Sequence, residues 1–148
     1  MTRSKRMTPV ARVADNKERH AAKEFGKSKQ VLKDHEARLE ERVQYRDEYN
    51  QRFQESGSNG LEAQKVHEYR IFLNRLNDAV NRQREIVRRA TEESIEYKES
   101  WMHTRSHAKA LEKVVERYQS QEEQELERKE QKESDERSSR KTSVHQQK

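Results

Sequence analysis

Between Val66 and Tyr118 two columns of residues repeat at seven-residue intervals. One reads Val66, Leu73, Val80, Val87, Ser94, Trp101, Ala108, Val115. The other reads Tyr69, Leu76, Gln83, Ala90, Tyr97, Thr104, Leu111, Tyr118. Steps of three and four alternate between the columns for about eight heptads, which is the pattern of a left-handed supercoil. Such a stripe has to be covered by another helix.

A globular core is not available to this chain. Only 28% of its 148 residues are hydrophobic and 41% are charged. A compact domain is normally close to half apolar. Basic residues number 33 and acidic ones 28, a net charge of only +5. Dense charge of both signs suits the outer faces of a coiled coil better than a disordered chain, which favours high net charge. The absence of cysteine removes disulfides, thiolate nucleophiles and thiolate metal sites together. No apolar run approaches the roughly 18 residues of a membrane span, and the basic start lacks the apolar stretch of a secretory signal.

The helix breakers divide the rest. Thr8-Pro9 reads as a helix N-cap and first helical residue. The cluster Ser56-Gly57-Ser58-Asn59-Gly60 is the one strong turn signal. Gly57 suits the left-handed residue that closes a helix, and Asn59 with Glu62 suits a capping box on the next. Gly26 falls inside the first helix. The predicted organisation is a basic N-terminal arm (1–8), helix 1 (9–55), a turn (56–60), helix 2 (61–136) and a disordered tail (137–148).

Helix 1 carries a weaker stripe. Phe25, Leu32, Leu39 and Phe53 form one column, with Arg46 intruding, and Ala14, Ala21, Ser28, His35, Arg42 and Tyr49 form the other. Polar seam residues weaken packing but can fix register. The short turn makes the pair antiparallel. Folding at Ser58 sets Ala14 near Trp101 and leaves about 30 residues of helix 2, roughly 40 Å, beyond the start of helix 1. Leu111, Val115 and Tyr118 then continue the seam without an internal partner, an apolar strip that needs covering. The fold class is all-α: a long antiparallel two-helix coiled-coil hairpin with an overhanging C-terminal helix.

Nothing here predicts an enzyme. Three scattered glycines cannot form a phosphate-cradling loop, and a two-helix hairpin offers no sequestered pocket. Glu99, His103 and His107 share a helix face but lack a fourth ligand and a closing shell, so no metal or other cofactor is expected. Arg82, Arg84, Arg88 and Arg89 make a basic patch, and Arg3, Lys5, Arg6 and Arg12 another. Glu85, Glu92 and Glu93 interrupt the first, which argues for a solvated surface over a nucleic-acid face. Phe72, Ala79 and Ile86 repeat beside the helix 2 seam, and Tyr45 and Tyr49 lie on helix 1 near the same level. Aromatics gathered near a hairpin tip suggest a protein-binding hot spot, unless they pack internally and only widen the seam.

Over most of its length the chain resembles the flagellar type III export protein FliJ family. The likeness rests on residues 39–49, with Tyr45-Arg46-Asp47-Glu48-Tyr49, and on Asn59-Gly60 at the turn. It continues through Tyr69, Phe72, Leu76 and Ala79, then Trp101 and Leu111, and ends with Glu130-Gln131-Lys132 and Asp135-Glu136. The resemblance implies a non-enzymatic component of flagellum biogenesis and protein export, cytoplasmic and peripherally associated with the inner face of the cell membrane. Its implied partners are the flagellar export ATPase hexamer, the export gate protein FlhA and export chaperones, without nucleic acid. The implied gate-binding residues are Tyr45, Tyr49, Phe72, Leu76 and Ala79. The unpaired seam at Leu111, Val115 and Tyr118 is expected to contact the ATPase. Two alternatives stand beside this: the coiled-coil stalk of a virulence type III secretion system, and a basic helical binder of nucleic acid or membrane surface.

Overall fold

The computed structural model describes residues 1–57, 60 and 62–146. The fold is all-α, with α1 at Arg3–Gly57 and α2 at Ala63–Gln146, and no strand among the described residues. The two long helices pack against each other as a helical hairpin. The chain divides into two compact units, His20–Trp101 on the one hand and Met1–Arg19 with Met102–Lys148 on the other.

The connection falls between Gly57 and Ala63, two residues later than the expected turn at 56–60. Gly57 is still helical, and the left-handed residue is Gly60, at φ 78°. Its amide donates to the Gly57 carbonyl at 3.3 Å. Any side chain at Gly60 would meet the Cβ strain of that conformation. The Val66 amide donates to the Glu62 carbonyl at 3.2 Å, so Glu62 stands at the N-cap place of α2 and helix starts at Ala63. The expected cap at Asn59 lies outside the described residues.

In the unit His20–Trp101 the α2 columns face inward. Val80, Gln83, Ala90 and Ser94 are buried, and Val66, Tyr69, Leu73, Leu76, Val87 and Trp101 are half-buried. Tyr97 is the exception at 42% exposed. On α1 the inner face holds Phe25, Leu32, His35, Leu39, Tyr49 and Phe53, all half-buried. The register differs from the expected one: Trp101, expected opposite Ala14, stacks on Phe25 at 5.7 Å. The connection lies two residues later than expected, which moves the fold point, and two large rings in contact gain more than a ring over alanine. Arg46 tolerates its seam position by turning its guanidinium to Asp47 at 3.1 Å.

In the second unit helix begins well before Pro9. Thr2, not Thr8, caps it: Thr2 Oγ1 accepts the Lys5 amide at 3.4 Å and the Thr2 carbonyl accepts the Arg6 amide at 3.2 Å. The supposed arm is therefore the first turns of α1. Pro9 sits inside the helix on its exposed side, at a cost of about 3 kcal/mol for an interior proline. What offsets this is across the seam. The Ser4 amide donates to Glu122 Oε1 at 3.0 Å and its hydroxyl to Oε2 at 2.6 Å. A carboxylate of α2 thus caps the positive end of α1. The Arg3 guanidinium lies 6.0 Å from the centre of the Tyr118 ring.

Pairing reaches Glu122, so the overhang is shorter than expected and different in kind. Leu111, Val115 and Tyr118 are half-buried in this unit and are not an uncovered strip. The heptad columns turn charged after Tyr118, and pairing stops where the apolar residues stop. Residues 123–146 are all exposed. The expected disordered tail is helical through Gln146; positions 147 and 148 lie outside the described residues. Thr142 and Ser143 donate their hydroxyls to the carbonyls of Ser138 (2.9 Å) and Arg140 (3.0 Å), which keeps those groups within the helix.

The Ser4 bonds hold the Glu122 carboxyl below its usual value of 4.5. A carboxylate depressed by folding contributes stability above its unfolded value, and loses it as pH falls through the folded one. Amides of the first α1 turns are expected to lose hydrogen-exchange protection as pH falls below about 4.5, after correction for intrinsic rates. Glu122→Gln should weaken that protection at neutral pH and make it insensitive to acid. A pH-independent wild type would show that the cap contributes nothing.

Candidate functional site

Near the connection four rings from both helices interlock. Tyr49 stacks on Tyr69 at 4.3 Å and 6°, and Phe53 stacks on Tyr69 at 3.7 Å and 16°. Phe72 meets Tyr49 edge-on at 4.6 Å. The Tyr69 hydroxyl donates to the Tyr49 carbonyl. Loss of water around Tyr69, and then the neighbouring Tyr49 phenol, raise the Tyr69 pKa above 10.0. Seam spacing delivers these rings: Tyr49 and Phe53 are one turn apart on α1, as are Tyr69 and Phe72 on α2. An open groove beside them is lined by Tyr49, Phe53, Lys65 and Tyr69 among others.

The five residues of the suggested gate-binding set do not share one situation. Tyr45 is 53% exposed, one turn from Tyr49. Phe72 is half-buried against Tyr49, so one part of the ring packs and the rest meets solvent. Tyr49 is committed to the stack, and Leu76 and Ala79 are half-buried. Ile71, outside that set, stands 42% exposed next to Phe72, and Ile86 stands 40% exposed further along α2. Their apolar character off the seam columns was the available signal. What emerges is a stacked internal ring cluster with a fringe of exposed apolar side chains, Tyr45, Ile71 and part of Phe72.

One heptad away from Tyr49 and Leu76 the seam is polar. Gln83 is 2% exposed and bonds across to α1 at both ends of its amide. The sequence reading placed Gln83 and Arg42 in opposing columns but not in contact.

Two of the four arginines of the α2 patch are paired with carboxylates. Arg88 bonds Glu85 through Nε at 2.9 Å and Glu92 through Nη1 at 2.6 Å, while Arg89 reaches Glu85 at 3.4 Å. The hydrogen bond from Arg88 holds the Glu85 carboxyl below its ordinary range and pushes the guanidinium further up. These exposed pairs contribute little stability, but they remove the uniform positive face that a phosphate backbone requires. Among the described residues no group of three His, Cys, Asp or Glu side chains is placed to hold a metal ion. No helix there is long and apolar enough to cross a membrane.

Fold and surface together define an all-α coiled-coil hairpin whose distinctive chemistry is a set of aromatic side chains on its flank. The family described as Flagellar FliJ protein matches residues 3–147, essentially the whole chain, and the chain belongs to that family. It is a flagellar export-related component, of a family that is structural rather than enzymatic. No curated protein and no solved structure gives a match.

Proposed function

We propose that this chain is a stalk or linker of the flagellar export apparatus, joining the export ATPase ring to the membrane gate protein FlhA and escorting export chaperones. The observation that carries the reading is the exposed fringe at Tyr45, Ile71 and Phe72 on a stacked ring cluster. Apolar side chains held rigid lose little conformational entropy when a partner covers them, which is the condition for a hot spot. Tyr45 and Phe72 are the direct gate contacts in this reading. Tyr49, Leu76 and Ala79 support them from the seam. Leu111, Val115 and Tyr118 are half-buried within the hairpin, so the contact with the ATPase passes to the exposed residues 123–146. The protein would then work on the cytoplasmic side of the membrane, held there by its partners.

The test uses the purified chain with the cytoplasmic domain of the gate and, separately, the export ATPase. Tyr45→Ala and Phe72→Ala should each weaken gate binding about tenfold or more, the effect of losing one hot-spot residue, with ellipticity retained. Their effect on ATP hydrolysis should match that of the wild type. Undiminished gate affinity in both variants would remove this face from the reading.

A further inference from the structure

We propose that Gln83 is a positioning residue whose role is to fix the register of α1 on α2 in the unit His20–Trp101. Its Nε2 donates to the His35 carbonyl at 3.0 Å, and its Oε1 accepts from Arg42 Nη1 at 3.0 Å. His35 and Arg42 are consecutive members of one α1 column, so the amide sits in the hole between them.

This layer is costly. Gln83 lies in a column between Leu76 and Ala90, with essentially no access to water. A leucine there would bury more favourably. His35 Nδ1 is buried beside it with no hydrogen-bond partner. A polar layer of this kind lowers stability and raises discrimination, as a buried polar residue in a coiled-coil seam does.

Beyond the Phe25–Trp101 stack and the place of the connection, the apolar residues of α1 discriminate little between registers. Phe25, Leu32 and Leu39 recur at equal spacing, and the two leucines are alike. A slip of one heptad, about 10 Å, still sets apolar against apolar. The polar layer tells these registers apart. Sliding one way sets Arg42 against Leu76. Sliding the other way sets His35 against Ala90 and takes it out of reach of Gln83. In the bonded register the next heptad brings Tyr49 to Tyr69 and Phe72. The ring cluster is thus assembled downstream of one hydrogen-bonded layer.

The chain has no cysteine, so cysteines introduced at exposed Arg38 and Arg82 can carry two spin labels. Pulsed electron resonance should give one narrow distance distribution in the wild type. Gln83→Leu, and Arg42→Leu with Gln83→Leu, should each broaden it or add a second population, while the melting temperature holds or rises. A single narrow distribution in both variants overturns the proposal. So does a lowered melting temperature with the distribution intact, which marks an ordinary stabilising bond. Binding of the gate's cytoplasmic domain is a second readout that rests on the function proposed above. Loss of affinity together with the second population supports both readings. A second population with full affinity sustains the register role and counts against the tip face.

Discussion

Val80→Asp is expected to abolish the cooperative thermal transition of the hairpin. Val80 is fully buried at 0% exposure, and the other buried apolar residues among those described are only Ala14 and Ala90. The seam is one or two side chains wide, so no second core layer can absorb a fault. Burying valine contributes about 2 kcal/mol. An unpaired carboxylate in its place removes that and adds about 4 kcal/mol for an uncompensated buried charge, for a total of about 6 kcal/mol. A domain typically has 5–15 kcal/mol to lose, and a hairpin with so narrow a core belongs at the low end of that range. Far-UV circular dichroism at 25 °C should show most of the helical signal gone. Val80→Ala should lower the melting temperature and keep the transition. A Val80→Asp variant that melts like the wild type would mean that α1 does not cover this position.

Tyr69→Ala is the second large effect. Tyr69 is the common member of two stacks and the donor of a hydrogen bond to the other helix. Removing the ring leaves Tyr49 and Phe53 without their shared neighbour, for about 3 kcal/mol. Tyr69→Phe keeps the stacks and loses only the hydroxyl, for about 1 kcal/mol. Chemical denaturation followed by circular dichroism separates the two. Equal losses in both variants would place the energy in the hydrogen bond and not in the rings.

Much of this molecule could be read from the spacing of its residues. The α2 columns named from the sequence are the ones that turn inward, because a seven-residue repeat can be satisfied only by a facing helix. Tyr97 breaks the pattern for a local reason: a phenol satisfies its hydroxyl at a wet edge, and in the next heptad Trp101 stacks on Phe25. The N-terminus was misread because Thr-Pro is a general helix-start signal. The bonds that extend helix past Pro9 come from Glu122, which is distant in sequence. The ring cluster was legible as a set of residues but not as a set of contacts. Which ring meets which depends on register, and the register rests on the place of the connection and on the Gln83 layer.

The charged stretch of α2 past Glu122 has a thermodynamic consequence of its own. Residues 123–146 are all exposed, so their helix stands chiefly on backbone bonds and local side-chain pairs. Helix of this kind melts gradually and without a sharp midpoint. Calorimetry should therefore record a broad baseline slope from this arm beneath the cooperative peak of the paired region. A binding partner that grips the arm meets a segment already helical, and is spared an ordering penalty of about 1 kcal/mol for each residue it would otherwise have to fix. Affinity for such a segment should fall with temperature faster than affinity for the hairpin flank, because warming unwinds the arm first.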